Sequence, residues 1–323
     1  MKISVIIPIF NAEKTLHNCV KHLLKQTWHD YELILINDNS NDNTWKIAVE
    51  LAATDHRIKL INNTTNIGAG LCRNKGLDFA QGEWVTFCDA DDYTEETWLS
   101  DFASKVSDEI EMVVQGFYFE NFGNNGNKSS AVVAYSGTNN RNTVVNALCN
   151  YDVFGYLWCK MYRTSIIKRE HIEFKQYQFL EDEMFNLQYL KYTQKIVCIP
   201  ACNYHYVRPD FYAKYGEFDS FDVNIELFKQ ACDTFGNIPI RIKDILAERI
   251  CEWLWVSFRF NKPDKRIKAM QFCNLVGPHL HYIQLDRQGN RLIKLLVIPS
   301  FPTMCYYTLH ILFFLKNLFK KMR

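Results

Sequence analysis

The first half of this sequence predicts an α/β fold: a mostly parallel sheet flanked by helices, with a helical carboxyl-terminal extension. Three observations predict it. Short apolar runs rich in β-branched residues alternate with segments whose apolar residues recur at helical spacing. Each apolar run closes on a polar or chain-breaking residue. The strand-to-helix pitch is that of βαβ units, in which helices cover both faces of the sheet and buried strands read as near-continuous hydrophobic runs.

Taken in order, Ile3 to Pro8 reads Ile-Ser-Val-Ile-Ile-Pro, a buried strand closed by proline. Leu16, Val20, Leu23 and Leu24 follow at helical spacing, and Gln26-Thr27 ends that pattern before a second strand at Glu32 to Asn37. The alternation repeats with a helix at Trp45 to Ala53, a strand at Arg57 to Asn62, a helix at Ala69 to Ala80 and a strand at Trp84 to Cys88. Beyond Asp92 the pattern loosens to a strand at Met112 to Phe119, a polar hairpin loop from Asn121 to Ser130, a helix from Glu181 to Tyr192 and a strand from Lys195 to Ile199. After about Ser220 the texture becomes helical, at Val223 to Cys232 and Ile242 to Phe260. The expected organisation is a catalytic domain over 1–220, a helical extension over 221–290 and a tail over 291–323.

Composition excludes several classes. With 48% hydrophobic residues and 37 basic against 36 acidic side chains, the chain is neither disordered nor a nucleic-acid binder that rests on bulk charge. Eleven cysteines with no Cys-x-x-Cys pair support neither a disulfide framework nor a zinc knuckle, so reduced thiols and a cytoplasmic setting are expected. The apolar stretch after Lys2 is too short for a secretory signal, and the mature chain is expected to begin at Met1.

Polar residues sit where the strands end. Asn11 follows the first strand, Asp38 the second, Asn66 and Gly68 the third, and Asp89-Ala90-Asp91-Asp92 the fourth. Loops at the carboxyl ends of such strands form ligand crevices. Taken singly, Asp38 or Asn11 reads equally as a helix cap. Three carboxylates within four residues repel one another unless a cation, a helix terminus or water relieves them. If the strand continues, Asp89 and Asp91 share a side and could hold Mg²⁺ or Mn²⁺ with positions left open for phosphate oxygens. Alternatively the cluster is a solvated turn, with Asp92 capping a helix that begins near Thr94. No Gly-x-Gly-x-x-Gly follows the first strand and no Gly-Lys-Ser/Thr occurs, which argues against Rossmann dehydrogenases and P-loop enzymes.

Four segments stand in order at the strand ends: Val5-Ile6-Ile7-Pro8-Ile9-Phe10-Asn11-Ala12, Ile36-Asn37-Asp38-Asn39-Ser40-Asn41-Asp42, Asn66-Ile67-Gly68 leading to Arg73-Asn74-Lys75-Gly76, and Gly82 through Asp92. Together they resemble the successive signatures of family 2 glycosyltransferases of the GT-A fold. The resemblance continues through Trp158-Cys159-Lys160-Met161-Tyr162-Arg163, Glu181-Asp182-Glu183 and Tyr204-His205-Tyr206-Val207-Arg208, and so covers roughly the first 210 residues. It implies inverting transfer of a sugar from a nucleoside diphosphate, UDP in first place, to a hydroxyl of a glycan or lipid-linked acceptor in cell-envelope polysaccharide synthesis.

The resemblance also implies roles. Pro8, Phe10, Asn11, Asp38, Asn66, Arg73, Asp89 and Ala90 would meet the nucleotide sugar, Phe10 lying on the base and Asp38 accepting a hydrogen bond from it. Asp91, with Asp89, would ligate Mg²⁺ or Mn²⁺. Asp182 would be the general base, preferred over Glu181, although either could serve only as a first-turn acid favoured by the helix dipole. Trp158, Lys160, Glu181 and Arg208 would shape the acceptor site, and His205 could add a metal ligand. Val207 stands where the family often has arginine. The competing readings are a degenerate GT-A module acting as a scaffold and a sugar-nucleotide pyrophosphorylase, whose glycine-rich loop is absent.

The tail differs from the body. Residues 291–323 carry six basic side chains and no acidic ones, which leaves 31 basic against 36 acidic in residues 1–290. Leu295 to Leu315 holds no formally charged residue, but Pro299 and Pro302 interrupt it. An apolar helix lying on the inner face of the cell membrane is expected, and a buried core helix or homodimer contact is the alternative.

Overall fold

In the computed structural model, residues 1–121, 128–132, 137–139, 141–150, 153–177, 180–207, 221–236, 238 and 242 are described. The chain begins β1 (Ile3–Ile9), α1 (Leu16–Leu24), β2 (Tyr31–Asn37), α2 (Thr44–Thr54), β3 (Ile58–Asn62), α3 (Ala69–Phe79) and β4 (Trp84–Phe87). It continues through β5 (Tyr93–Thr94), α4 (Trp98–Ala103), β6 (Met112–Asn121), β7 (Lys128–Val132), β8 (Gly137–Asn139) and α5 (Arg141–Asn150). Then come β9 (Lys160–Arg163), α6 (Thr164–Arg169), α7 (Glu181–Lys191), β10 (Ile196–Val207) and α8 (Phe221–Phe235). The chain divides into two compact units, Met1–Phe218 and Asp219–Arg323. Of the second, α8 is the described helix.

The strands form one sheet in the order β3-β2-β1-β4-β9-β6-β10-β5, with β7 on β6 and β8 on β10. The first four strands are parallel to one another, as the alternation predicts. The remainder is mixed: β9 lies antiparallel to both β4 and β6, and β10 runs parallel to β6. Every residue of β2 is buried and all of β1 but Pro8, as the apolar runs require of strands covered on both faces. Each buried Ile or Leu stabilises the fold by about 1.5–3 kcal/mol. Helix α1 turns Leu16, Cys19, Val20 and Leu23 to this core.

Three differences from expectation have physical causes. No helix starts near Thr94, because Tyr93 and Thr94 form β5 against His205 and Tyr204, and the next helix opens at Trp98. The loop expected over Asn121 to Ser130 is shorter, since Asn121 already pairs with Lys128 across the β6–β7 hairpin. Strand β10 runs on past Ile199 to Val207. Pro200 reads as a stop, but it falls where the β6 register shifts between Cys198 and Cys202, and an irregularity of that kind tolerates a residue without an N–H.

The order β3-β2-β1-β4 places neighbours of β1 on opposite sides, with successive connections leaving in opposite directions. A sheet of this kind opens a crevice at the carboxyl ends of its strands there. The β1–β4 register covers only Ile3 to Ile6, so Pro8 sits beyond it and its missing N–H costs the ladder nothing on that side. Among the described residues no helix is long and apolar enough to cross a membrane. The 291–323 tail, most of the Ile242 to Phe260 segment and Arg208 lie outside the described residues.

Candidate active site at the carboxyl edge of the sheet

The loops after β1 and β2 hold each other. Asn11 adopts φ 48°, a conformation that asparagine tolerates. Its N–H donates to Ser40 Oγ at 3.0 Å and its Oδ1 accepts from the Asn41 N–H at 2.9 Å. Phe10 beside it is 48% exposed, a free aromatic face at the end of β1. Asp38 is buried, and the loop after β3 wraps around it. Its Oδ1 accepts from the Ile67 N–H at 2.8 Å and Asn63 Nδ2 at 3.0 Å, and its Oδ2 accepts from the Gly68 N–H at 2.8 Å. Asn66 donates to the Asp38 carbonyl at 3.2 Å. Asp38 thus builds the loop that opens α3, with the Cys72 thiol also within reach of its carboxylate. Gly68 takes φ 88°, which a side chain would oppose.

The acidic cluster is a turn and not a continued strand. The Asp92 N–H donates to the Asp89 carbonyl at 3.2 Å, which leaves Asp91 exposed and carries Asp92 inward. The Asp92 carboxyl accepts from the Tyr204 hydroxyl at 2.6 Å and from the Val207 N–H at 2.8 Å. Burial, with Asp89 and Asp91 nearby, pushes this carboxyl well above the usual range. Asp92 therefore caps no helix; it ties the turn to β10. The Tyr204 hydroxyl also accepts from the Asp89 N–H at 3.0 Å, so one phenol fixes both ends of the turn.

Among the described residues no three His, Cys, Asp or Glu side chains converge as a metal cage. The donor set nonetheless fits Mg²⁺ or Mn²⁺. Asp91 is exposed and Asp89 half-buried, and one or two carboxylates completed by phosphates and water are what such cations take in nucleotide sites. His205 is already engaged elsewhere, its Nδ1 at 2.7 Å from Glu120 and its Nε2 at 2.8 Å from Glu95. Its ring stacks between its cross-strand neighbours Tyr93, at 4.3 Å, and Tyr118, at 4.9 Å. This is a clasp across β5, β10 and β6, not a ligand open to a metal.

The third group of carboxylates opens α7. Leu180 enters it at φ 65°, and Glu181, Asp182 and Glu183 fill the first turn, where the helix dipole favours negative charge. Arg73 of α3 donates through Nη1 to Asp182 Oδ1 at 3.0 Å and through Nη2 to Asp89 Oδ1 at 3.0 Å, with Glu181 Oε1 at 3.5 Å from Nη1. Burial pushes the Asp182 carboxyl up to about 8; Arg73 opposes this, while Glu181 and Asp89 add to it.

Lys160 and Trp158, expected at the acceptor site, face inward. Lys160 is 1% exposed, and its Nζ donates to the carbonyls of Val153 and Tyr156. Trp158 is buried in a stack between Tyr204, at 4.4 Å, and Tyr156, at 4.6 Å. Both support the 153–157 loop, whose Gly155 lies against Glu183: a methyl group there would meet Glu183 Cγ at 3.3 Å. Ala90 is buried within the acidic turn and Pro8 is half-buried at the end of β1.

Residues 4–170 match the family model described as glycosyl transferase family 2. The chain belongs to this family. Its transferase relatives include EpsH of Bacillus subtilis, 29% identical over 63% of this chain and 60% of that protein. The poly(ribitol-phosphate) beta-N-acetylglucosaminyltransferase TarP of Staphylococcus aureus is 30% identical over 65% of this chain and 64% of its own length. The family 2 chain thus matches somewhat under two thirds of the length of these relatives. Its fold is shared with S. aureus TarS 1-349 in complex with UDP-GlcNAc, at a TM-score of 0.68 and 21% identity over 95% of this chain and 89% of that one.

Four contributors to the family 2 site carry no local signal. The roles of Tyr204, of Asn63 in holding Asp38, and of Glu95 and Glu120 in holding His205 depend on partners 25 to 115 residues away. Tyr204 lies within a segment that resembles the family, but nothing in its surroundings in sequence assigns its hydroxyl to the acidic turn.

Proposed function

We propose that this family 2 enzyme is an inverting transferase that moves a sugar from a nucleoside diphosphate, UDP in first place, to a hydroxyl of a cell-envelope glycan or its lipid-linked precursor. The observation that carries this reading is the placement of Asp89 and Asp182, from β4 and α7, on the two arms of one buried arginine at the carboxyl edge of the sheet. The carboxylate just past the end of β4 would meet the donor, and the part-buried carboxyl beside it can take a proton.

Phe10 offers its exposed face to the nucleotide base. A carboxylate such as Asp38 at the end of β2 suits a base N–H, which uracil, thymine and guanine all carry. TarP and the TarS complex with UDP-GlcNAc favour UDP and an envelope polymer. A divalent cation held by Asp91 with Asp89 would offset the charge that develops on the departing diphosphate. The acceptor hydroxyl has too high a pKa to attack unaided, and Asp182 takes its proton as the new bond forms on the face opposite the leaving group. The buried Asp92–Tyr204 pair keeps the acidic turn in place while the leaving group departs. The basic, apolar tail would bring the active site to the inner membrane surface, where a lipid-linked acceptor resides.

The test is a screen of UDP-, GDP- and dTDP-sugars with Mn²⁺ for thermal stabilisation and for release of nucleoside diphosphate. A UDP-sugar should stabilise the fold, since a ligand that prefers the native state raises apparent stability. It should also be consumed. Asp182→Asn should keep that stabilisation and lose turnover by about 10²–10⁴-fold. Absence of a response to every donor, or near-normal turnover in Asp182→Asn, overturns the reading.

A further inference from the structure

We propose that Arg73 is a positioning residue that joins the donor half of the site, at Asp89, to the base, Asp182, and sets the distance between them. The inference rests on the proposed transfer reaction and goes beyond it. The sequence places Arg73 among basic residues that could reach a diphosphate. The geometry points elsewhere.

The two carboxylates it holds lie 16 and 109 residues away in the chain. Each Nη meets a different carboxylate at 3.0 Å, so the rigid fork acts as a spacer between them. A lysine is a point charge on a flexible stem and could satisfy one partner but not fix both. Three carboxylates, Asp89, Glu181 and Asp182, crowd about this one cation, and they would repel one another without it.

The arginine is itself held with care. Its side chain is 6% exposed, and Nε is buried with no acceptor. A buried N–H left unpaired is costly, and such groups in native folds call for a functional explanation. Here the orientation that serves both carboxylates leaves Nε without one. The guanidinium lies 5.6 Å from the centre of the Phe174 ring, which stacks at 4.2 Å on Phe185 of α7, the helix that carries Asp182. The next residue, Asn74, clips α3 to the same place: its Nδ2 donates to the Phe174 carbonyl at 2.7 Å, and its Oδ1 accepts from the Phe174 N–H at 2.8 Å. One turn on from Arg73, Gly76 lets α3 sit directly on the sheet, because a methyl group there would stand 2.5 Å from Ile6 Cγ2. Helix, ring and clip all fix one guanidinium between two half-sites.

The experiment compares wild type, Asp182→Asn, Arg73→Lys, Arg73→Gln and Arg73→Ala in the full chain. UDP with Mn²⁺ is the binding probe, and the UDP-sugar that wild type consumes fastest is the turnover substrate. If Arg73 positions the base, UDP affinity should stay within about three-fold while kcat falls about 100-fold in all three Arg73 variants, the scale of a misplaced catalytic group. Added guanidinium ion should restore at least about ten-fold in Arg73→Ala and nothing in Asp182→Asn. Arg73→Lys at near-wild-type kcat overturns the proposal while leaving the transfer reading intact. So does a loss of UDP affinity that matches the loss of turnover, which would make Arg73 a diphosphate contact. If Arg73→Ala does not fold, the Lys and Gln variants decide. No turnover by wild type overturns both readings.

Discussion

The pH dependence of turnover follows from the environment of Asp182. Its carboxyl is pushed up to about 8, first by burial, against the opposing pull of Arg73. Only the ionised form can accept a proton from the acceptor hydroxyl. About one carboxyl in a hundred is ionised at pH 6, about one in ten at pH 7 and about half at pH 8. The expectation is therefore a kcat that climbs about ten-fold per pH unit on the acid side and levels off above pH 8. Stability should move the other way. The folded pKa lies above the ordinary 3.8, so the native state binds more protons than the unfolded chain between those values. Stability from this group is full below about pH 4, falls as pH rises through the window and is lost above about pH 8. The assay is the initial rate of nucleoside diphosphate release at saturating donor and fixed Mn²⁺ from pH 5.5 to 9.5 at matched ionic strength, beside urea titrations over the same range. Asp182→Asn should lose the ascending limb. A profile flat from pH 6 to 9, or a limb near pH 4, would falsify the assignment of a desolvated Asp182 as the base.

Three further outcomes test the scaffold. Tyr204→Phe keeps the stack on Trp158 but deprives the Asp89 N–H and the buried Asp92 carboxyl of the hydroxyl they share; it should cost about 1–3 kcal/mol in urea denaturation and weaken UDP binding in the presence of Mn²⁺. His205→Phe retains an aromatic between Tyr93 and Tyr118 yet deprives buried Glu120 of the imidazole and leaves it the Tyr93 hydroxyl; a loss of about 1–3 kcal/mol is expected, and an unchanged urea midpoint would show the clasp to be unimportant. Gly76→Ala forces a methyl group to 2.5 Å from Ile6 Cγ2 and 3.2 Å from Ile36 Cδ1; overpacking there should cost about 1–3 kcal/mol and, by lifting α3, lower kcat more than UDP affinity.

The parallel half of the fold was legible because its signals are local. The strand expected over Glu32 to Asn37 announces itself by the apolar run Leu33 to Ile36, and α1 by the spacing of Leu16, Val20 and Leu23. The mixed half was not, because its strands are short and take their meaning from partners far away. Strand β5 has two residues and exists only through β10, and β9 has four and is wedged between β4 and β6. At the site, residue type and position at a strand end were enough to single out Asp38, Asp89 and Asp91, while Asp182, in the first turn of α7, was singled out through the family resemblance. Burial of the charged groups was not readable. Asp92 and Lys160 look like surface or site residues in the chain, yet each is buried and joined to groups that no local pattern reveals, whereas a tryptophan near an apolar run, such as Trp158, already reads as core.

By itself, then, the sequence determined the chemistry available: polar residues at the ends of four alternating strands, with carboxylates after the second and fourth, an aromatic after the first, an acidic first turn of a helix, and motifs in the order of a known family. These follow from periodicity and from side-chain type, which are properties of neighbours in the chain. Only the tertiary structure decided which of those groups act together. Arg73 reaches Asp89 and Asp182, and Tyr204 reaches Asp89 and Asp92, across 16 to 115 residues of chain. Hydrogen bonds and burial depend on distance in space, and that distance exists only once the sheet has closed its loops over one edge.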